Sequence, residues 1–426
     1  MAALVVTSGH ASHGSNPNFK EEIQHATVED LKRTATLVVA DETADSGVYD
    51  SALEEKIPRF EMNEIRLGRT LGRGGFCTVT EIEKVKIAGG ETNTSRFRLK
   101  KSRSSLDSSD KGGDDMEWKS VASESRKDLE NQSEPFSRTQ LAFLSRKKSR
   151  KKGGYFALKQ VTLEMASLNK VNYLKGLVDL STEAKLLAAL DHENIIRLCG
   201  VSMEGFSDFI IIERLQETLS GRLKKWMKTD RQCKGVTGVF TGSKMKKVAL
   251  DRERISTAYS IATGIDYLHS RNVIFRDLKP DNVGFDGHGI TKIFDFGLAK
   301  ELKESRRTDD GLYQMTSFTG AVRYMAPEVG LGMPYNLSVD VYSWSMILWF
   351  ILALEPPYGF YTEDMIIDRV FKRGSRPAVF ESWSHELGNL MKCSWDSTIS
   401  KRPGFSEICN VLRSEMSIKG KSGTRS

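Results

Sequence analysis

The chain has 426 residues, 39% hydrophobic and 28% charged, which is apolar material enough for the core of a two-part domain with extensions. Its five cysteines, at 77, 199, 233, 393 and 409, lie too far apart for a metal motif or a disulfide framework, which points to a reducing compartment. The formal net charge of +7 sits in one segment: residues 96–152 hold 16 Lys/Arg against 9 Asp/Glu, so the rest of the chain is neutral and a nucleic-acid-binding surface is not expected.

Met1 to Val6 carries no basic region and too short an apolar stretch for a signal peptide, so a cytoplasmic location is expected, with the nucleus open. Residues 1–59 are polar with few aromatics and are expected to be a mostly disordered tail, with a short ordered piece from Glu29 to Val39. From Phe60 onward, strands are expected at about 64–71, 77–87 and 155–163. Ile65 and Leu67 alternate before a glycine turn, Leu71-Gly72-Arg73-Gly74-Gly75-Phe76-Cys77-Thr78-Val79, and Val79, Ile82 and Val85 continue after it. Glycine at 72 and 74 lets backbone N–H groups approach phosphate oxygens, although such a loop by itself is more often only a turn.

The next stretch is serine-rich and charged, and closes on Arg146-Lys147-Lys148-Ser149-Arg150-Lys151-Lys152. It predicts a disordered loop. The basic cluster is either a solvated face or a site for nuclear import or an acidic partner, and Leu141-Ala142-Phe143-Leu144 is a candidate docking patch. The apolar strand Tyr155-Phe156-Ala157-Leu158-Lys159 ends in a lysine able to reach phosphates. A helix around Glu183 carries Leu186, Leu187 and Leu190 as its apolar stripe. Phe209-Ile210-Ile211-Ile212 reads as a strand, residues 229–249 as a Gly-, Thr- and Lys-rich insertion, and Ile255 to Leu268 as an amphipathic helix.

That helix delivers the chain to its most informative feature, Phe275-Arg276-Asp277-Leu278-Lys279-Pro280-Asp281-Asn282, followed by Asp295-Phe296-Gly297. The two aspartates stand 18 positions apart. Two carboxylates and an amide in this order suit phosphoryl transfer: Asp277 to accept the proton of an attacking hydroxyl, Asn282 and Asp295 to hold magnesium. Met325-Ala326-Pro327-Glu328 closes the segment begun at Asp295. The apolar helix that follows Asp340 and runs to Leu354 is too short to span a bilayer and is expected in the core. Trp395 and Arg402-Pro403 complete the series, and residues 416–426 read as a free tail.

Together these motifs resemble a eukaryotic protein kinase over roughly residues 62–415. The resemblance implies an α+β fold of two lobes: a β-rich N-lobe over 60–212 and a helical C-lobe over 216–415, with insertions at 88–153 and 229–249. Cys393-Ser394-Trp395 and Lys401-Arg402-Pro403 resemble the tyrosine-kinase-like group. The stretch Leu278-Lys279-Pro280-Asp281-Asn282 resembles serine/threonine kinases, since tyrosine kinases carry alanine and arginine there. The resemblance implies ATP and magnesium as cofactors and protein substrates as partners. It implies that Leu71, Gly72, Gly74, Val79, Ala157, Lys159, Ile212, Glu213 and Leu215 contact the nucleotide. Ile212 would be the gatekeeper and 213–215 the hinge. Lys159 would hold the α and β phosphates with Glu183 orienting it, and Lys279 would neutralise the γ-phosphate. Glu328 would pair with Arg402, and Asp340 would brace the catalytic loop.

Four positions depart from the family pattern. Cys77 replaces the third glycine, Phe275 the usual histidine, Ala321 a small hydroxyl residue, and Ser345 a glycine. Phe275 is expected to fill a stacked column with Phe296 and Leu187. Thr319 is a candidate replacement for the hydroxyl absent at 321. The expected activity is serine/threonine kinase, regulated by phosphorylation between Asp295 and Glu328. The alternatives are a pseudokinase scaffold, favoured by Cys77, Phe275 and Ala321, and a dual-specificity kinase, opposed by Lys279.

Overall fold

The computed structural model describes residues 22–86, 137, 138, 141, 155–234 and 242–422. Most of the first insertion, its basic cluster at 146–152, the first 21 residues and the last four lie outside the described residues.

Two short helices come first, α1 (Val28–Thr43) and α2 (Ser51–Glu55). A six-stranded sheet follows, built from β1 (Arg59–Phe60), β2 (Ile65–Arg73), β3 (Cys77–Val85), β4 (Phe156–Val161), β5 (Leu198–Ser202) and β6 (Gly205–Glu213) in the order β1-β5-β6-β4-β3-β2. All its pairings are antiparallel except β1 with β5. Register decides the chemistry: Gly72 faces Val79, Val79 faces Lys159, and Ala157 faces Ile212. Between β4 and β5 lie α3 (Glu164–Leu168) and the long helix α4 (Lys170–Ala189), N-capped by Asn169.

Past β7 (Glu217–Thr218), the larger, helical lobe is built on α5 (Leu219–Lys234) and α6 (Gly242–His269). Short strands carry the loops between them: β8 (Val273–Ile274) pairs with β11 (Lys300–Glu301), and β9 (Val283–Phe285) with β10 (Thr291–Ile293). Then come α7 (Pro327–Gly330), α8 (Ser338–Ala353), α9 (Glu363–Met365, continued as π-helical turns to Lys372), α10 (His385–Ser394) and α11 (Phe405–Ser422). The stripe Ile255, Ala258, Ile261, Ala262, Ile265 and Leu268 is buried throughout. α8 is buried on nearly every side, as its uninterrupted apolar sequence requires. No helix among the described residues is long and apolar enough to cross a membrane.

The structure corrects three boundaries and the reading of one patch. The tail expected to be disordered to residue 59 is folded from residue 22. Thr27 and Asp30 form a capping box, and Leu31, Ala35, Val38 and Val39 are buried against α4. That stripe is narrow, so its order comes from the partner helix and not from its own sequence. The insertion expected at 229–249 is largely the end of α5 and the start of α6, leaving 235–241 outside the described residues. The tail expected from 416 continues α11: Met416 packs on the core, and buried Glu415 accepts a hydrogen bond from Ser384 Oγ at 2.6 Å. Within the first insertion, Leu141 is fully buried among Phe60, Ile65, Ile82, Val85 and Phe156 on the outer face of the sheet, and Arg138 pairs with Glu64. Leu141 thus docks on its own domain.

Candidate active site

The site lies where the sheet's β3–β4 ladder, α4 and the two loops after β8 and β10 meet. Lys159 Nζ, on β4, donates to Glu183 Oε2 at 2.5 Å and to Asp295 Oδ1 at 2.7 Å. Burial opposes the Lys159 ammonium, but the two carboxylates outweigh it and hold the group protonated. The Lys159 charge in turn holds the Asp295 carboxyl below its ordinary value. Asp295 sits in the left-handed backbone region, φ 68°, which turns it toward Lys159 and lets Phe296 turn inward.

Asp277 is held from three sides. Lys279 Nζ donates to its Oδ2 at 2.7 Å, Asn282 Nδ2 to the same oxygen at 2.8 Å, and the Ala321 backbone N–H to Oδ1 at 3.0 Å. Burial pushes the Asp277 carboxyl up, and Lys279 and Asn282 pull against it. Asn282 Nδ2 also donates to the Asp277 carbonyl at 2.9 Å, so its two amide hydrogens are spent and its Oδ1 is left for a cation. Beneath the loop, buried Asp340 accepts from the Phe275 and Arg276 N–H groups at 2.8 and 2.9 Å and from His269 Nε2 at 2.9 Å. Arg402 and Glu328 form a buried two-pronged pair at 2.5 and 2.9 Å.

The departures have physical outcomes. Phe275 is buried edge-on to Phe296, ring centroids 5.1 Å apart, in the same core as Leu187. Burial pushes the Cys77 thiol up to about 12, against the pull of Lys159, which leaves it a packed thiol and not a nucleophile. Thr319 does not replace the absent hydroxyl: its Oγ1 donates to Thr316, and the backbone N–H of Ala321 reaches Asp277 instead. Ser345 Oγ donates to the Tyr342 carbonyl within its own helix at 2.6 Å.

Gly72 and Gly75 have open space where a Cβ would stand, but the Gly74 N–H expected to face phosphate donates to the Cys77 carbonyl at 2.7 Å, so the loop is left to meet a ligand through its other backbone groups. Leu71 is exposed at the end of β2, and Ala157 and Ile212 are buried side by side. The Glu213 carboxylate turns away from the cleft, pairing with Lys292 at 3.0 Å and accepting from the Arg197 N–H at 2.8 Å, and its own N–H donates to the Arg197 carbonyl at 3.1 Å, so only its backbone carbonyl is left for a base. The Leu215 N–H, beyond the strand, has no hydrogen-bond partner among the described residues.

Sequence reasoning missed Asp179. It lies one turn before Glu183 on α4, with its Cβ 3.4 Å from where a side chain at Gly297 would begin. Burial pushes its carboxyl up to about 7, against the pull of Lys175 and Lys159. An Asp on a charged helix carries no sign in sequence that its carboxyl will be desolvated; only the packing of α4 on the Phe296–Leu298 turn reveals it.

The donor set suits a hard cation shared with phosphate oxygens. Asn282 and Asp295 offer amide and carboxylate oxygen, and among the described residues no group of three His, Cys, Asp or Glu could hold a metal unaided.

Comparison with known proteins matches residues 151–412 to the family described as protein tyrosine and serine/threonine kinase. Among curated relatives, the chain is 29% identical over 259 residues to Serine/threonine-protein kinase STY17 of Arabidopsis thaliana, covering 61% of this chain and 41% of that protein. It is 34% identical over 239 residues to Serine/threonine-protein kinase VIK of the same organism, covering 55% of this chain and 50% of that one. It is 32% identical over 159 residues to Dual specificity protein kinase shkB of Dictyostelium discoideum, covering 37% and 24% respectively. The chain thus spans half or less of the length of these relatives.

Proposed function

The chain belongs to the protein tyrosine and serine/threonine kinase family, and from that premise we propose that it is an active serine/threonine kinase using ATP and magnesium. The observation that carries the reading is the intact charge constellation: Lys159 shared by Glu183 and Asp295, beside Asp277 fixed by Lys279, Asn282 and Ala321. A scaffold that only uses the fold has no need to keep these groups in register. Relatives named as serine/threonine kinases support the choice of acceptor, as does Lys279.

The residues divide the work by charge. The hinge backbone at 213–215 takes the base, with Ile212, Ala157, Val79 and Leu71 around it. The N–H groups of the glycine loop and Lys159 hold the phosphates, and Glu183 keeps Lys159 aimed. Asn282 and Asp295 supply oxygens to magnesium, which when bound neutralises and orients the phosphates. Asp277 positions the hydroxyl of the protein substrate and takes its proton. The hydroxyl oxygen bonds to the γ-phosphorus as the bond to the β–γ bridging oxygen breaks, and ADP leaves. Lys279 compensates the charge on the moving phosphoryl group.

Regulation by phosphorylation of the activation segment is part of the proposal. Of the hydroxyls at 308, 313, 316, 317 and 319, Thr316 has the support of geometry: Arg276 Nη1 donates to its Oγ1 at 3.0 Å, while Arg276 Nε donates to the Leu298 carbonyl at 2.6 Å. A phosphate on Thr316 would exchange one neutral bond for charge-assisted ones.

The test is phosphate transfer from labelled ATP to a mixed peptide library, with Asp277→Asn in parallel. Label on serine and threonine, absent in the variant, is expected. No transfer would make the protein a scaffold, and label on tyrosine a dual-specificity enzyme.

A further inference from the structure

The family match begins at residue 151, yet residues 27–57 are folded onto both elements that set the active site. On one side α1 lies along α4, the helix carrying Glu183, and buries Leu31, Ala35, Val38 and Val39 there. Polar links run the length of that contact. Lys170 Nζ, at the start of α4, donates to the Gln24 and Ala26 carbonyls at 2.7 Å each. Lys32 pairs with Asp208 of β6 at 2.5 Å. Lys185, two residues past Glu183, donates to Thr43 Oγ1 at 3.1 Å and pairs with Glu54 at 3.6 Å.

On the other side, the turn after α1 grips β11, the strand that begins five residues past Asp295 and pairs with β8 just before Phe275. The Glu301 carboxylate accepts from Ser46 Oγ and from the Gly47 N–H, the latter at 2.8 Å. Ser46 Oγ also accepts from the Val48 and Tyr49 N–H groups at 3.0 Å, which fixes the turn. Lys303 Nζ donates to the Glu42 carbonyl at 3.1 Å, and Lys300 lies 3.9 Å from the Glu42 carboxylate.

Helix α4 brings Glu183 to Lys159, and the chain from Asp295 to Glu301 brings the second carboxylate. One segment of about thirty residues therefore bridges the two sources of the Lys159 pairing. We propose that residues 27–57 are a positioning element of the phosphoryl-transfer site, linked to it by Ser46–Glu301 and by Lys185 with Thr43 and Glu54. It keeps α4 and β11 in the arrangement where Glu183 and Asp295 both meet Lys159. The proposal rests on the kinase reading. The polar links can be broken singly while the buried face of α1 stays in place.

The experiment uses the full chain and Ser46→Ala, Glu301→Ala, the double variant, Ser46→Thr, Lys185→Ala and Lys185→Arg. Turnover of a generic peptide, KM for ATP, melting temperature, and amide hydrogen exchange across 177–187 and 28–43 are measured on each. Removing a hydrogen bond to a charged group is expected to lower the melting temperature by a few degrees, and to lower kcat, read well below the melt, about five- to tenfold with KM for ATP unchanged. The double variant should lose less than the sum of the two single losses, because both break the Ser46–Glu301 link and only Ser46→Ala also frees the Val48 and Tyr49 N–H groups. Ser46→Thr and Lys185→Arg should restore most of the loss, and exchange across 177–187 should quicken in the alanine variants. Wild-type turnover with unchanged exchange across 177–187 would overturn the proposal. So would a loss of kcat that only follows a loss of melting temperature, or faster exchange confined to 28–43. If the unaltered chain transfers no phosphate, the kinase reading fails, and exchange across 177–187 decides the linkage alone.

Discussion

At the scale of single residues, three groups carry distinct expectations. Lys159→Met deletes the charge shared by Glu183 and Asp295 and should lower turnover by about 100–1,000-fold while the fold persists, as read by circular dichroism. Glu183→Gln should do less harm, since an amide oxygen still aims the lysine; near-normal activity in Lys159→Met would mean that another group holds the phosphates. In the proposed mechanism Asp277 works deprotonated, and burial raises its carboxyl while Lys279 lowers it. Activity is therefore expected to fall with falling pH through a value above the ordinary carboxylate one. Lys279→Met should move that acid limb of kcat to higher pH, and an unmoved limb would assign it to a different group. Asp179 has the opposite interest. Its folded pKa of about 7 lies above the unfolded value of 3.8, so the stability it contributes is full below that value and is lost as pH rises to about 7. Without nucleotide, Asp179→Asn should raise stability by roughly 1–4 kcal/mol near pH 8 and much less near pH 5, measured by urea melts at both.

At the scale of elements, the first insertion and the activation segment separate what composition shows from what contacts show. The charge of 96–152 suggests a segment dispensable for chemistry, but fully buried Leu141 plugs the outer face of the sheet. Replacing 96–134 with a short Gly/Ser linker should leave turnover on a generic peptide intact. Replacing all of 96–152, or making Leu141→Ala alone, should cost about 2–5 kcal/mol in denaturant melts. Equal stability of the two replacements would show that Leu141 contributes nothing. In the activation segment, Thr316→Ala should lower the activity of phosphorylated enzyme to that of phosphatase-treated enzyme. Mass spectra of active protein should place phosphate on Thr316, the hydroxyl that Arg276 already meets. Active protein without phosphate across 308–319 would remove this control.

At the scale of the whole molecule, nucleotide should bind between the lobes and stabilise only the folded form. ATP with magnesium at about one hundred times its Kd should add about 2.7 kcal/mol, visible as a rise in melting temperature. Chelating the metal should shrink the rise, and Lys159→Met should shrink it further. A melting curve indifferent to ATP, with or without metal, would leave the fold as a scaffold. The lobes are tied by more than the ligand: the Ile196 N–H donates to the Ile293 carbonyl at 2.9 Å and the Ile293 N–H to the Asn194 carbonyl at 2.8 Å. The N-terminal segment adds a second tie, from α4 to β11.

The sequence by itself determined the family, the two lobes and the ordered list of charged groups, because phosphoryl transfer requires those residue types at spacings that local backbone geometry imposes. Asp277, Asn282 and Asp295 stand on short loops whose reach leaves little freedom, and the stripe from Ile255 to Leu268 declares its own helix. Four matters were decided only by tertiary structure. The order of residues 27–57 needs the apolar face of α4, which lies more than a hundred residues away in sequence. The seat of Leu141 needs the finished sheet. The raised carboxyl of Asp179 needs the Phe296–Leu298 turn packed on its helix. The holding of Asp277 by the Ala321 N–H needs the activation segment folded back over the catalytic loop. Each depends on which surfaces meet. Burial and desolvation are properties of such meetings, and no window of sequence contains both partners.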